Sequence, residues 1–184
     1  MAAARRRWAA DLLHYWFHTL RPSDWFGPAE RIDAELRRRF GCDLAALGVR
    51  PAADFLGDAQ TARAAILLFD QVPRNIHRGS AAAFATDPLA RAIARGMARR
   101  GWVRALAPAE RQFVAMPLMH SEAIADQLDS LAAFARLGPR HGWPFARSHY
   151  RMIARFGRFP HRNATLGRTT TPAEARAIAA GFVW

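Results

Sequence analysis

Prolines in this chain fall at the starts of segments with apolar residues at helical spacing, and that placement makes the helix its main building element. Pro28, Asp87-Pro88, Pro108, Pro144 and Thr171-Pro172-Ala173-Glu174 each open such a segment. A first-turn proline sacrifices no hydrogen bond, because the first N–H groups of a helix have no partner inside it. The last motif is also a capping box, with Thr171 and Glu174 bonding each other's backbone. No stretch alternates apolar and polar residues with the period of two that a half-buried strand requires. The pattern predicts an all-α chain of about seven to nine helices in a single domain, 1–184, with the helix-loop-helix rhythm of a solenoid or bundle.

The individual spans follow from the same signals. Trp8, Leu12, Tyr15 and Trp16 place a helix over 5–19, and Ile32, Leu36 and Phe40 place one from Pro28 to a stop at Gly41. A short turn near 44–47 leads into a loop. A helix from Asp58 to Phe69 should break at Pro73 and Gly79. Asp87 caps the next, to Arg100. Pro108 opens another that Pro117 bends or ends. Ser121 caps a helix to Leu137 with Ile124, Leu128, Leu131 and Ala135 inward. Pro144 to Arg155 and Thr171 to Gly181 complete the set.

Apolar residues make up 51% and charged residues 23%, enough for a core and too few charges for a disordered chain. The longest apolar runs are too short to cross a bilayer. The basic start, 1–7, leads into a segment interrupted by Asp11 and His14, a poor signal sequence. One cysteine, Cys42, excludes an internal disulfide framework and cysteine-built zinc sites. A reducing, cytoplasmic location is the expectation. The net charge of +12 comes from arginine alone, and from Ser130 onward Glu174 is the only acid. The last third is therefore the electropositive part.

Three places switch abruptly from apolar to polar. Leu67 to Phe69 delivers Asp70, Gln71, Arg74, Asn75 and Arg78. Met116 to Met119 delivers His120, Ser121 and Glu122, with Asp126 a turn further on. Phe156 to Pro160 carries Arg158 and leads to His161 and Arg162, with His149 and Arg155 on the preceding helix. These residues form the candidate ligand-binding set of one shared polar site. Glu122, Asp126 and Asp129 recur at helical spacing and imply a cation opposite. Arg147, Arg151, Arg155 and Arg158 form a basic stripe, and guanidinium forks suit phosphate and carboxylate alike.

The leading function is recognition of a small anionic ligand or an acidic peptide end. Arg74, Arg158 and Arg162 would hold the anion, and Asp70, Glu122 and Asp126 would orient them. A catalytic alternative uses His120 or His161 as general acid or base, tuned by Glu122 or Asp126. A structural alternative joins the same groups in one buried polar network. Nucleic-acid binding is possible from the charge but not favoured, because no known motif is present. No phosphate-binding glycine loop, nucleophile elbow or zinc motif occurs. No cofactor, resident metal or membrane partner is expected.

The three junctions resemble the bacterial domain of unknown function 924 family. The likeness runs through Leu68-Phe69-Asp70-Gln71-Val72-Pro73-Arg74-Asn75-Ile76-His77-Arg78-Gly79-Ser80, Met116-Pro117-Leu118-Met119-His120-Ser121-Glu122 and Arg155-Phe156-Gly157-Arg158-Phe159-Pro160-His161-Arg162-Asn163. It covers most of the chain from Trp16 onward. One departure is Val72, where the family's motif usually has phenylalanine. The resemblance implies a tetratricopeptide-like helical fold and no established activity, so function has to be argued from the side chains.

Overall fold

The computed structural model describes residues 7–27 and 29–182. The α-helical segments are α1 (Arg7–His14), α2 (Glu30–Leu47), α3 (Ala59–Ile66), α4 (Val72–Ile76), α5 (Asp87–Arg99), α6 (Pro108–Met119), α7 (Ile124–Leu137), α8 (Trp143–Phe156) and α9 (Pro172–Ala179). No strand occurs among the described residues, so the chain is all-α as its pattern requires. Among those residues, no helix is long and apolar enough to cross a membrane. The helix starts expected at Arg5 and Pro28 lie outside the described residues.

The chain divides into two compact units. One contains Met1–Arg78 and Ala82–Ala105, the other Gly79–Ala81 and Leu106–Trp184. In the first, α1 packs on α3, α3 on α5 and α2 on α4. Its core holds Leu12, Trp16, Leu36, Phe40, Ile66 to Phe69, Ile93 and Met97. Burying such a side chain contributes about 1.5–3 kcal/mol. In the second unit α7 packs on both α6 and α8, around Phe113, Phe134, Met152, Ile153 and Phe159. The α7–α8 turn needs Gly142. Its φ is +100°, and a Cβ there would come within 2.9 Å of the Phe134 ring.

Several local outcomes correct the sequence pattern. Gly41 does not stop α2, which runs on to Leu47 and buries Leu44. Gly41 faces outward, where only the Arg37 stem would meet a Cβ, so its cost is that of a helical glycine alone. Pro73 does not break the helix either. A π-helical turn, Leu67–Gln71, joins α3 to α4, and the Val72 N–H reaches back five residues to the Leu67 carbonyl. A regular helix would press the proline ring onto the Phe69 carbonyl and leave that oxygen without its N–H donor. Here the Thr86 hydroxyl donates to it at 2.7 Å. The wider turn therefore carries a proline through a buried rod. Pro117 likewise lies inside α6 rather than ending it.

The expected capping box forms at α9, and the helix expected from Asp58 starts there with a cap that the sequence reading did not name. Asp58 accepts from the Thr61 N–H at 2.8 Å at the start of α3. At α9 Glu174 accepts from the Thr171 N–H at 2.8 Å and the Thr171 hydroxyl accepts from Glu174 at 3.3 Å. Asp87 instead lies within the first turn of α5, with Thr86 at the cap position. Ser121 stands two residues before the α7 cap, Ala123.

The largest correction concerns α7. Ile124 and Leu128 are 46% and 53% exposed, and the buried residues of this helix are Asp126, Gln127, Ser130 and Phe134. Its polar side faces inward because the backbone supplies partners there. The Gln127 amide donates to the carbonyls of Met119 at 2.7 Å and Ser121 at 2.6 Å, tying α7 to the end of α6. Those carbonyls belong to the last turn of a helix or lie just past it, where no intrahelical donor reaches.

Candidate functional site

The nominated residues fall into two sets, one in each unit. In the first unit Asp70 is fully buried at the π turn, and the Gln71 amide donates to it at 2.6 Å. Arg74, one turn on, donates to both carboxylate oxygens of Asp87, at 2.8 and 2.9 Å, and stands 3.4 Å from Asp70. Burial opposes the Arg74 charge, but Asp70 and Asp87 outweigh it and raise its pKa. The Asn75 amide donates to the Gln71 carbonyl at 2.9 Å. Arg78 forks onto Asp33 of α2 at 3.1–3.2 Å. The cations nominated in this unit thus have internal carboxylates, and Asp33 and Asp87 are partners that the sequence did not signal.

In the second unit the acids bind arginine at the edges of the set. Glu122 accepts from Arg168 at 2.8 and 2.9 Å and from the Phe159 N–H at 2.9 Å. Burial pushes its pKa up, but Arg168 and the Phe159 N–H push it further down, for a net lowering. Arg158 donates to Glu174 at 2.6 and 3.0 Å and to the Thr169 carbonyl at 2.9 Å. Arg158, with the Thr171 N–H, holds the Glu174 pKa down to about 2. Asp126 accepts from the Ser121 hydroxyl at 2.6 Å. Glu122, Asp126 and Asp129 do not form one acidic face. Glu122 precedes α7, Asp126 is buried and Asp129 is exposed.

At the centre of this unit, basic side chains gather on one ring. The Arg162 guanidinium carbon lies 4.5 Å from the centroid of Phe159, and Arg162 is only 7% exposed. His149 meets the same ring edge-on at 5.3 Å, and His161 lies 5.7 Å from it. His120 stands 6.1 Å from His149. A chain folds this way because each histidine presents an apolar ring body to the core and a polar edge to its neighbours. The Nδ1 atom of His149 is 2.9 Å from the Phe145 carbonyl, which fixes the proton there and makes Nε2 the acceptor. Burial holds the His149 pKa well below the usual histidine value. The charges of His120, Arg162 and His161 push the same way, against the Phe145 hydrogen bond.

In the same unit, three buried side-chain oxygens have no hydrogen-bond partner: Gln127 Oε1, Ser130 Oγ and Asn163 Oδ1. Gln127 and Ser130 share the inward side of α7. Buried polar atoms in that condition mark a place where a polar guest or water belongs. No group of three or more His, Cys, Asp or Glu among the described residues is placed to hold a metal ion. Arg155 stands apart from the set. It is exposed on α8 with Arg147 and Arg151, its guanidinium 5.0 Å from the Phe156 ring. Glu174 could have been anticipated as a partner, since it is the one acid among nine arginines after residue 129.

Comparison with known proteins places this geometry in a family. The model described as "Bacterial protein of unknown function (DUF924)" matches residues 12–181. Among solved structures, a protein of unknown function from Agrobacterium tumefaciens is similar at 37% sequence identity, with a TM-score of 0.90. That likeness covers 98% of this chain and 100% of the other. No curated protein matches the chain.

Proposed function

The chain belongs to the bacterial domain of unknown function 924 family, and from that premise we propose that it recognises a small anion through His120, His149, His161 and Arg162. The observation that carries this reading is the convergence of His149, His161 and Arg162 on the Phe159 ring, with His120 beside His149. Burial and the neighbouring charges disfavour a charged His149, and a bound phosphate or carboxylate would favour it. The lone oxygens of Gln127, Ser130 and Asn163 suit a ligand that carries hydroxyl or amide groups as well as its charge. Arg74 and Arg158, also nominated from the sequence, contribute less here, because Asp87 and Glu174 already occupy their forks. The exposed Cys42 goes with a reducing, cytoplasmic setting.

The test is a titration of isotope-labelled protein with inorganic phosphate and with small carboxylates, read at the His149 imidazole nitrogens. An anion in contact with the set should raise the His149 pKa, and Arg162→Gln should weaken binding at least tenfold. Histidine signals that do not move at any anion concentration would refute the proposal. A catalytic reading is supported by one observation, the tautomer of His149, whose Nε2 is an unprotonated base at neutral pH. Under that reading a turnover assay loses its acid limb when His149 is replaced by Asn.

A further inference from the structure

Two groups of arginines in this protein contrast. Arg74, Arg78, Arg158 and Arg168 are each forked onto a carboxylate. Arg147, Arg151 and Arg155 are exposed on α8 and pair with no carboxylate among the described residues. They stand at every fourth residue, so they form one row along the helix, about 6 Å apart. Arg147 and Arg155 also lie over aromatic rings of their own helix, Trp143 at 5.9 Å and Phe156 at 5.0 Å. Trp143 and Tyr150, four residues before and three after Arg147, are half-buried along one edge of the row. From Ser130 onward the only acid is Glu174, which is buried and bound to Arg158. That acid therefore does not neutralise the row.

We propose that the outer face of α8 binds single-stranded nucleic acid, with Arg147, Arg151 and Arg155 on successive phosphates and bases stacking along the edge that carries Trp143 and Tyr150. Charge complementarity supports a polyanion, and the pairing of guanidinium with aromatic ring is what single strands use for sequence-tolerant binding. An acidic peptide or an anionic bilayer fits this face less well. The residues that fill the gaps of the row, Ser148 and Ala154, offer no apolar pocket or wedge. This face is separate from the histidine set, so either proposal can fail without the other.

The experiment is fluorescence anisotropy of a labelled oligouridylate with the full chain. Three phosphate contacts predict a slope of roughly −2 for log affinity against log salt, or a fall of about 15–20-fold between about 50 and 200 mM. Replacing Arg147, Arg151 and Arg155 together by Glu should abolish binding while circular dichroism stays unchanged, since all three are exposed. A control with Arg31, Arg99 and Arg176 replaced by Glu carries the same charge change at other exposed positions and should retain most of the affinity. Should the α8 reversal variant fail to fold, Arg151→Gln alone should flatten the slope by about 0.7. The proposal is overturned if the wild type does not bind at low salt. It is equally overturned if the control loses as much as the α8 variant. Arginine-dependent binding of phosphatidylserine vesicles or polyglutamate in preference to the oligonucleotide would also overturn it.

Discussion

The π turn of the first unit and the histidine set of the second are built from similar residue types, yet they handle charge in opposite ways. At the π turn the acids come to the cation: Asp87 forks onto Arg74 and Asp70 stands 3.4 Å away. In the second unit Glu122 and Glu174 bind Arg168 and Arg158, while Arg162, His149 and His161 gather on the Phe159 ring and His120 stands beside His149. The cation of the first region is held by two carboxylates, whereas Arg162 and the histidines pack against an aromatic ring, and it is there that we place the proposed anion site.

The strongest way to break that contrast is to remove a carboxylate from the first region. Asp87→Ala leaves Arg74 largely buried without its bidentate acceptor, and should cost about 2–3 kcal/mol in urea unfolding. Burial alone disfavours the Arg74 charge, and the two carboxylates are what reverse this. If Asp87→Ala costs less than about 0.5 kcal/mol, the Arg74 charge is held elsewhere. Arg74 would then rejoin the candidates for anion binding, and the contrast between the regions would disappear.

Acid should separate the regions next. His149 has a folded pKa well below its unfolded value, because of burial and the cations around it. A protonated His149 therefore binds its proton more readily in the unfolded chain. The stability it contributes is complete above about pH 6.5 and is lost as pH falls from there through the lower folded value. His120, His161 and Arg162 face it and add repulsion in the same direction. The urea midpoint should drop between about pH 6.5 and 5, and the drop should shrink in His149→Asn. A midpoint that is flat over that range in the wild type would mean that His149 is not held neutral, and would weaken the charge contrast directly.

Local rules exposed the helices of this chain and missed much of its interior. The capping box at Thr171 acts within three residues, so the sequence displays it. The ion pairs do not act locally. Arg74–Asp87, Arg158–Glu174, Arg78–Asp33 and Arg168–Glu122 are separated by 13, 16, 45 and 46 residues. Residue types thus nominated the polar side chains, but nothing local said which acid would bind which base. The apolar stripe of α7 misled for a related reason. Amphipathic patterning assumes that polar residues face water, whereas Gln127 finds better partners in the carbonyls of Met119 and Ser121. Ile124 and Leu128 then remain outside.

The smallest effect lies where the sequence implied a break and the rod continues. Pro73 deprives the Phe69 carbonyl of its regular donor, and the Thr86 hydroxyl replaces it at 2.7 Å. Thr86→Val keeps the shape and removes that donor, so it should cost about 1 kcal/mol. Thr86→Ser, which keeps the hydroxyl, should restore much of the loss. If the valine variant is as stable as the wild type, the Phe69 oxygen finds another donor and the π turn is held by backbone and packing alone. If it loses the expected amount, one hydroxyl on the loop before α5 helps set the turn that carries Asp70 and Arg74. In that case the carboxylate-bound cation of the first unit depends on a contact that contains no charge at all.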